Sequence, residues 1–249
     1  MVPLSGHPNL YISGQSIFSK AILAFGFNEE ALWRSAADSY EKSVAQLFVQ
    51  INGSTTGRAV LRAIDRHAPR TMLVEPLFET PNKYPNAYAT PNDTQAARRQ
   101  GSDTTVSFTP AHWKPSKITT TLTGLNYWSG TGVLPDELLL HEVVHGLRHM
   151  GGFIITRNVP FQKDYDTFEE FYAILIANIY RSERGKSDLR RDHHGFQTLA
   201  SIGINNSTDF YNYRLNKQHL KKLRNQQPLL FADLTLVKAP FNPTTLIGS

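Results

Sequence analysis

Three observations predict an α+β fold. Apolar residues recur at helical spacing toward both ends of the chain, short Thr- and Val-rich runs lie between them, and a single H-E-x-x-H pattern falls on a helix in the second half. The expected order is N-terminal helices and a small sheet, then the H-E-x-x-H helix and C-terminal helices. The 249 residues contain no repeat period, low-complexity tract or Gly/Ser linker, so one domain over 1–249 is expected, with 1–28 admitted as a flexible N-terminal segment.

Composition narrows the chemistry. With 40% apolar and 19% charged residues the chain can bury a core, which excludes wholesale disorder. There is no cysteine, so disulfides, Cys-ligated zinc, iron–sulfur clusters and a thiol nucleophile are all excluded; any metal must be held by His, Asp or Glu. A formal charge of +5 favours acidic partners without specifying nucleic acid, and no stable nucleic-acid complex is expected. The longest apolar runs, such as Ala21 to Phe25, fall far short of the roughly 20 residues of a membrane span, so no membrane insertion is expected. A Sec-type leader is not expected either, because Lys20 follows rather than opens the N-terminal region. The chain is read as a monomer.

From Glu29 to Gln50, Leu32, Trp33, Ala36, Tyr40, Val44, Leu47 and Phe48 recur at helical spacing after Asn28, a possible N-cap. Arg58 to His67 reads as a second helix stopped before Pro69. Thr71 to Glu75, Thr104 to Phe108 and Lys117 to Leu122 read as strands. Glu79 to Gln100, with Pro81, Pro85 and Pro91, suits an exposed irregular loop.

The main chemical signal is His141-Glu142-Val143-Val144-His145. Pro135 fits a first helical turn, Asp136 and Glu137 complement the positive end of the helix dipole, and Gly151-Gly152 can end the helix in left-handed geometry. Four residues apart on that helix, His141 and His145 share a face and can reach one Zn²⁺ at roughly 2.0–2.1 Å. Glu142 points beside that face and is read as the general base rather than a ligand. Against this stands chance: a pattern with three fixed positions arises on ordinary surface helices, and alone it makes zinc an even proposition.

The third ligand must come from elsewhere. The metzincin extension is absent, since Arg148 and Gly151 stand where that class needs Gly and His. His149 lies eight residues from His141, about 12 Å along the axis, too far for one ion. The periodic segment Asp166 to Tyr180 supplies the better donor. Asp166 with Glu169, or Thr167 with Glu170, can form a capping pair there. Glu170, on a face with Ala173, Ile174 and Ala177, is the preferred zinc carboxylate, with Glu169, Asp164 and Asp166 as alternatives. Two histidines and one glutamate leave a coordination position for water, the catalytic pattern of a gluzincin-like site. His193 and His194, with Arg190 and Arg191, are candidates to stabilise an oxyanion or else form a polar turn; Tyr165 and Tyr172 are further candidate donors.

Taken together, Leu138 to His145, Glu169-Glu170-Phe171-Tyr172-Ala173, Asp192-His193 and Pro240-Phe241-Asn242-Pro243 resemble the NleD-like bacterial effector metallopeptidases. The likeness spans Leu138 to Pro243; residues 1–130 carry none of it. The resemblance implies a zincin-like metallopeptidase domain, a type III secreted zinc endopeptidase acting in the host-cell cytoplasm, and a signalling protein such as a MAP kinase as substrate. It carries His141, Glu142 and His145 over directly. The absence of cysteine and the polar start (Ser5, Gly6, Asn9, Ser13, Gly14) are compatible with an unfolded secretion route.

A competing reading is a noncatalytic module whose basic helix, Lys217 to Arg224, docks on an acidic protein or nucleic acid. A solvated face with Leu215, Leu220 and Leu223 inward explains that helix more simply. For the peptidase, a strand edge near Ser107-Phe108 is expected to align the substrate by main-chain pairing.

Overall fold

Alternating side chains build a sheet from the first residues onward. The computed structural model describes residues 1–16, 30–77, 86–110, 131–132, 134–155, 165, 167–193 and 197–247. Among these, seven α-helices and one five-stranded sheet define a mixed α+β fold. Strands β1 (Val2–Leu4) and β2 (His7–Ile12) form an antiparallel pair turned at Gly6, whose φ of 81° suits a residue without Cβ. Leu10 and Ile12 are buried, so period-2 patterning holds in a segment that its Ser, Gly and Asn content marked as flexible; residues 2–12 are ordered sheet.

The sheet order is β1-β2-β3-β5-β4, with β3 (Met72–Glu75) parallel to both β2 and β5 (Thr104–Ser107) and β4 (Tyr88–Pro91) antiparallel to β5. Two expectations are corrected here. The stretch read as an irregular loop contains β4 and a short 3₁₀ turn, Ala96–Arg98. Ser107 is paired on both sides, with Glu75 and with Tyr88, so it is not an edge. Among the described residues the edge on this side is β4. Asn92 N–H donates to Asp103 O (2.9 Å), and the ladder's alternation turns Pro91 outward, where a missing N–H costs no hydrogen bond. The expected strand Lys117 to Leu122 lies outside the described residues.

Helix α1 (Glu30–Asn52) buries Tyr40, Val44, Phe48 and Ile51, whereas Leu32 at its start is 56% exposed and does not join that stripe. Helix α2 (Thr55–Asp65) starts three residues earlier than expected because Ser54 caps it, its Oγ accepting from Gly57 N at 2.8 Å. The Glu183 carboxylate completes that terminus, accepting from Thr55 N (2.6 Å), Thr56 N (2.9 Å) and Thr56 Oγ1 (2.7 Å).

Helix α3 (Pro135–Gly151) begins at Pro135 and ends at Gly152, whose φ of 75° is the left-handed cap expected there. It lies against the sheet at Gly146, where a Cβ would stand 2.8 Å from Met72 Cε and 3.1 Å from Thr104 Cγ2. Helix α4 (Phe168–Glu183) starts from Thr167, whose Oγ1 accepts from Glu170 N at 3.3 Å. It runs antiparallel to α3, because ion pairs join residue 148 to 169 and residue 137 to 181. Helices α5 (Ser207–Asn212), α6 (Asn216–Gln226) and α7 (Pro228–Thr235) follow. The Pro-Phe-Asn-Pro segment fastens α7 to α4: Phe241 N donates to Ser182 Oγ (2.8 Å), and Asn242 Nδ2 to Leu234 O (2.8 Å) and Val237 O (3.0 Å). One cluster of buried apolar side chains runs from Leu10 to Ile247. Among the described residues no helix is long and apolar enough to cross a membrane.

Helix α2 approaches α1 so closely at Gly57 that a Cβ there would run into the Ile51 carbonyl. Gly57→Ala is therefore expected to destabilise the fold by about 2 kcal/mol or more, read as a lower urea midpoint at unchanged m-value.

Candidate metal centre

The α3–α4 pair is held at both ends by buried charge. At one end Arg148 lies fully buried and binds Glu169 through two bonds, Nε to Oε2 at 2.6 Å and Nη2 to Oε1 at 3.0 Å, with its guanidinium 4.0 Å from the Tyr172 ring centre. At the other end Arg181 pairs with Glu137 and Arg184 with Asp136, and Tyr180 Oη donates to Asp136 Oδ2 at 2.7 Å. Asp136 and Glu137, expected to serve the helix dipole, are thus tied across the helix pair.

Between these anchors, His141, His145 and Glu170 converge. Glu170 Oε2 lies 3.2 Å from His141 Nε2, Oε1 lies 3.3 Å from His145 Nε2, and the two Nε2 atoms are 3.1 Å apart. Among the described residues this is the group with metal-ligand geometry, its ligand atoms all within 4.8 Å of one another. The spacing fits a tetrahedral ion: bonds of about 2.0–2.1 Å put ligand atoms about 3.3 Å apart. A second observation agrees. Glu170 Oε2 is buried and, despite its proximity to His141, accepts no well-aligned hydrogen bond, which suits a lone pair aimed at a cation.

Electrostatics point the same way. Burial drives the His141 imidazole down to about 3 against the pull of Glu170. Burial also opposes charge on His145, but the Glu170 and Glu142 carboxylates outweigh it and hold the ring at about 9. Burial would raise the Glu170 carboxyl, yet His145 and His141 hold it far below the usual carboxylate range. Glu142 is buried beside the cluster. Burial first, with Glu170 adding, lifts its carboxyl to about 6 against the pull of His145, His193 and Arg190.

The remaining candidates separate clearly. Glu169 serves Arg148, which removes it as a ligand. Asp164, Asp166 and His194 lie outside the described residues. Tyr165 is buried in the core with its ring edge-on to Phe171, centres 5.2 Å apart. Tyr172 lies under Arg148, and burial pushes its hydroxyl up to about 12, so it holds its proton at neutral pH. His193 is 41% exposed, with Nε2 3.7 Å from Glu170 Oε1. Arg190 is buried against the cluster, Nη1 3.5 Å from His141 Nδ1. Sequence reasoning did not single out Asn178, fully buried in α4 and bonded to Arg190 through both ends of its amide; an Asn amid Ile174, Ile176, Ala177 and Ile179 was the available signal.

No protein-family model, curated protein or solved structure matches this chain.

Because Glu170 faces the imidazoles and Glu169 faces Arg148, adjacent substitutions should separate. Glu170→Gln is expected to weaken zinc binding more than about 100-fold in chelator competition, since lost outer-shell partners alone cost 10–100-fold. Glu169→Gln should retain zinc while losing about 3–5 kcal/mol of stability, leaving Arg148 buried and unpaired. A pH effect follows from His149, whose ring burial lowers to about 3 and whose Nδ1 lies 3.2 Å from Thr104 Oγ1. Between pH 6.5 and about 3 the unfolded chain binds a proton there that the folded chain does not, so stability falls as pH falls. In metal-free protein, His149→Gln should flatten that decline by up to about 1.4 kcal/mol per pH unit, measured by urea unfolding at stepped pH.

Proposed function

We propose that this chain is a zinc-dependent metalloendopeptidase with a zincin-like catalytic domain. The observation that carries the reading is the meeting of His141 and His145, one turn apart on α3, with Glu170 from α4. Three protein ligands leave a fourth position for water or substrate, as catalytic zinc sites do. When bound, the ion supplies a Lewis acid that acidifies water and polarises a carbonyl.

The chain's own groups take the other roles. Glu142, buried beside the cluster, is the group assigned to accept a proton from the attacking water and return it to the leaving amine. Arg148–Glu169 and Arg181–Glu137 fix the two helices so that the three ligands keep their spacing. His193, partly exposed beside Glu170, takes the role of hydrogen-bond donor to the substrate's carbonyl oxygen as charge develops on it. The sheet offers β4 as its edge for main-chain pairing with an extended peptide, in place of the Ser107-Phe108 region.

The resemblance to NleD-like effectors extends this proposal to an exported bacterial effector that acts in the host-cell cytoplasm on a signalling protein of the MAP kinase type. In the Lys217 to Arg224 helix, Leu220 and Leu223 are buried as expected, whereas Leu215 is 38% exposed, and Lys217 and Lys222 lie over the rings of Tyr211 and Phe168.

Glu142→Ala is the direct test. The variant is expected to bind one zinc per chain while cleavage, scored as new N-termini in a host-cell lysate, falls at least about 10²–10⁴-fold. Undiminished cleavage by the variant would contradict the assignment of Glu142.

A further inference from the structure

We propose that Asn178 and Arg190 form a latch that positions His193 beside the His141–His145–Glu170 cluster, which makes them positioning residues for the reaction. This inference rests on the peptidase reading. The segment from Leu189 to Leu199 folds back on itself: Leu199 N donates to Leu189 O at 2.9 Å and Arg191 N to Gln197 O at 3.0 Å. His193 follows two residues after the Arg191–Gln197 bond.

The latch acts at the base. Asn178 Nδ2 donates to Arg190 O at 2.7 Å and Asn178 Oδ1 accepts from Arg190 N at 2.8 Å, so one side-chain amide binds both backbone groups of residue 190 as a neighbouring strand would. From that fixed point the Arg190 side chain turns toward His193. Its Nε donates to Asp192 O at 2.7 Å and its Nη2 to His193 O, tying down two carbonyls beside the imidazole. Gly132, at φ 84°, makes room for this path; a Cβ there would stand 3.0 Å from Arg190 Cδ.

Arg190 is 5% exposed and Asn178 fully buried, and both are expensive choices for a helix–loop contact that an aliphatic pair would make at lower desolvation cost. What the polar pair adds is direction. It sets His193 Nε2 3.7 Å from Glu170 Oε1 while leaving His193 out of the three-residue ligand group, close enough to face a substrate carbonyl without closing the coordination sphere. Arg190 Nη1, 3.5 Å from His141 Nδ1, places the same guanidinium against a ligand ring, so one residue orients both sides of the site.

Proton NMR of Co²⁺-loaded protein tests this without a substrate, because paramagnetic shifts fall steeply with distance from the ion. The unmutated protein should show two shifted ligand imidazoles and a third, non-ligand histidine signal that His193→Asn removes. In Arg190→Met and in Asn178→Ser, the third signal should collapse toward its diamagnetic position while the two ligand signals and the Co²⁺ stoichiometry persist. If Asn178→Ser does not fold, Arg190→Met carries the same comparison. With a mapped substrate, each variant should lower kcat about 10–100-fold at little-changed KM, and Asn178→Ser combined with His193→Asn should lose no more than His193→Asn alone. A third signal that stays shifted in Arg190→Met, or additive losses in the double variant, would overturn the latch alone. Absence of both ligand signals in the unmutated protein would overturn the metal reading and the latch with it.

Discussion

Everything at the candidate site depends on the antiparallel packing of α3 on α4 between two sets of ion pairs whose carboxylates are buried. Arg148–Glu169 closes one end, and Glu137–Arg181 with Asp136–Arg184 closes the other. An ion pair removed from water stabilises little net, because desolvation offsets most of the attraction. Its consequence is register. A slide of one helical turn along α4 would leave a charge unpartnered at each end, so the arrangement that satisfies the charges is also the one that brings Glu170 onto the two imidazoles. The energetic frame and the site geometry are therefore one constraint.

That frame explains why two adjacent glutamates diverge. Successive helix positions are rotated by about 100°, so Glu169 and Glu170 cannot serve the same partner. Glu169 faces Arg148; Glu170 faces His141 and His145. The segments around α3 and α4 reinforce the arrangement. Gly146 lets α3 settle on Met72 and Thr104, while Phe241 N bonds Ser182 Oγ on α4 and the neighbouring Asn242 amide holds the Leu234 and Val237 carbonyls at the end of α7.

Much of this was legible in the sequence where one residue type carries one meaning. The H-E-x-x-H spacing, Pro135 and Gly152 predicted α3 to within a residue at each end, and the 3.6-residue periodicity after Thr167 predicted α4. What escaped depends on partners distant in sequence. The hairpin of residues 2–12 reads as polar because only Leu10 and Ile12 of its residues are apolar and fully inward. Strand β4 was hidden by Pro91, which an edge tolerates and a central strand does not. At the site, the face shared with Ala173, Ile174 and Ala177 favoured Glu170 but left Glu169 as an alternative, since the group that engages Glu169, Arg148, lies on another helix. Asn178 was legible only as an anomaly within an apolar stripe, and its partner became evident once residue 190 was seen beside it.

Zinc K-edge X-ray absorption on the zinc-loaded chain measures the central claim most directly. The account predicts a four-coordinate ion with nitrogen and oxygen neighbours at about 2.0–2.1 Å and an outer-shell pattern that counts two imidazoles. Spectra showing fewer than two imidazoles, six-coordinate aquated zinc, or no saturable zinc at all would contradict it.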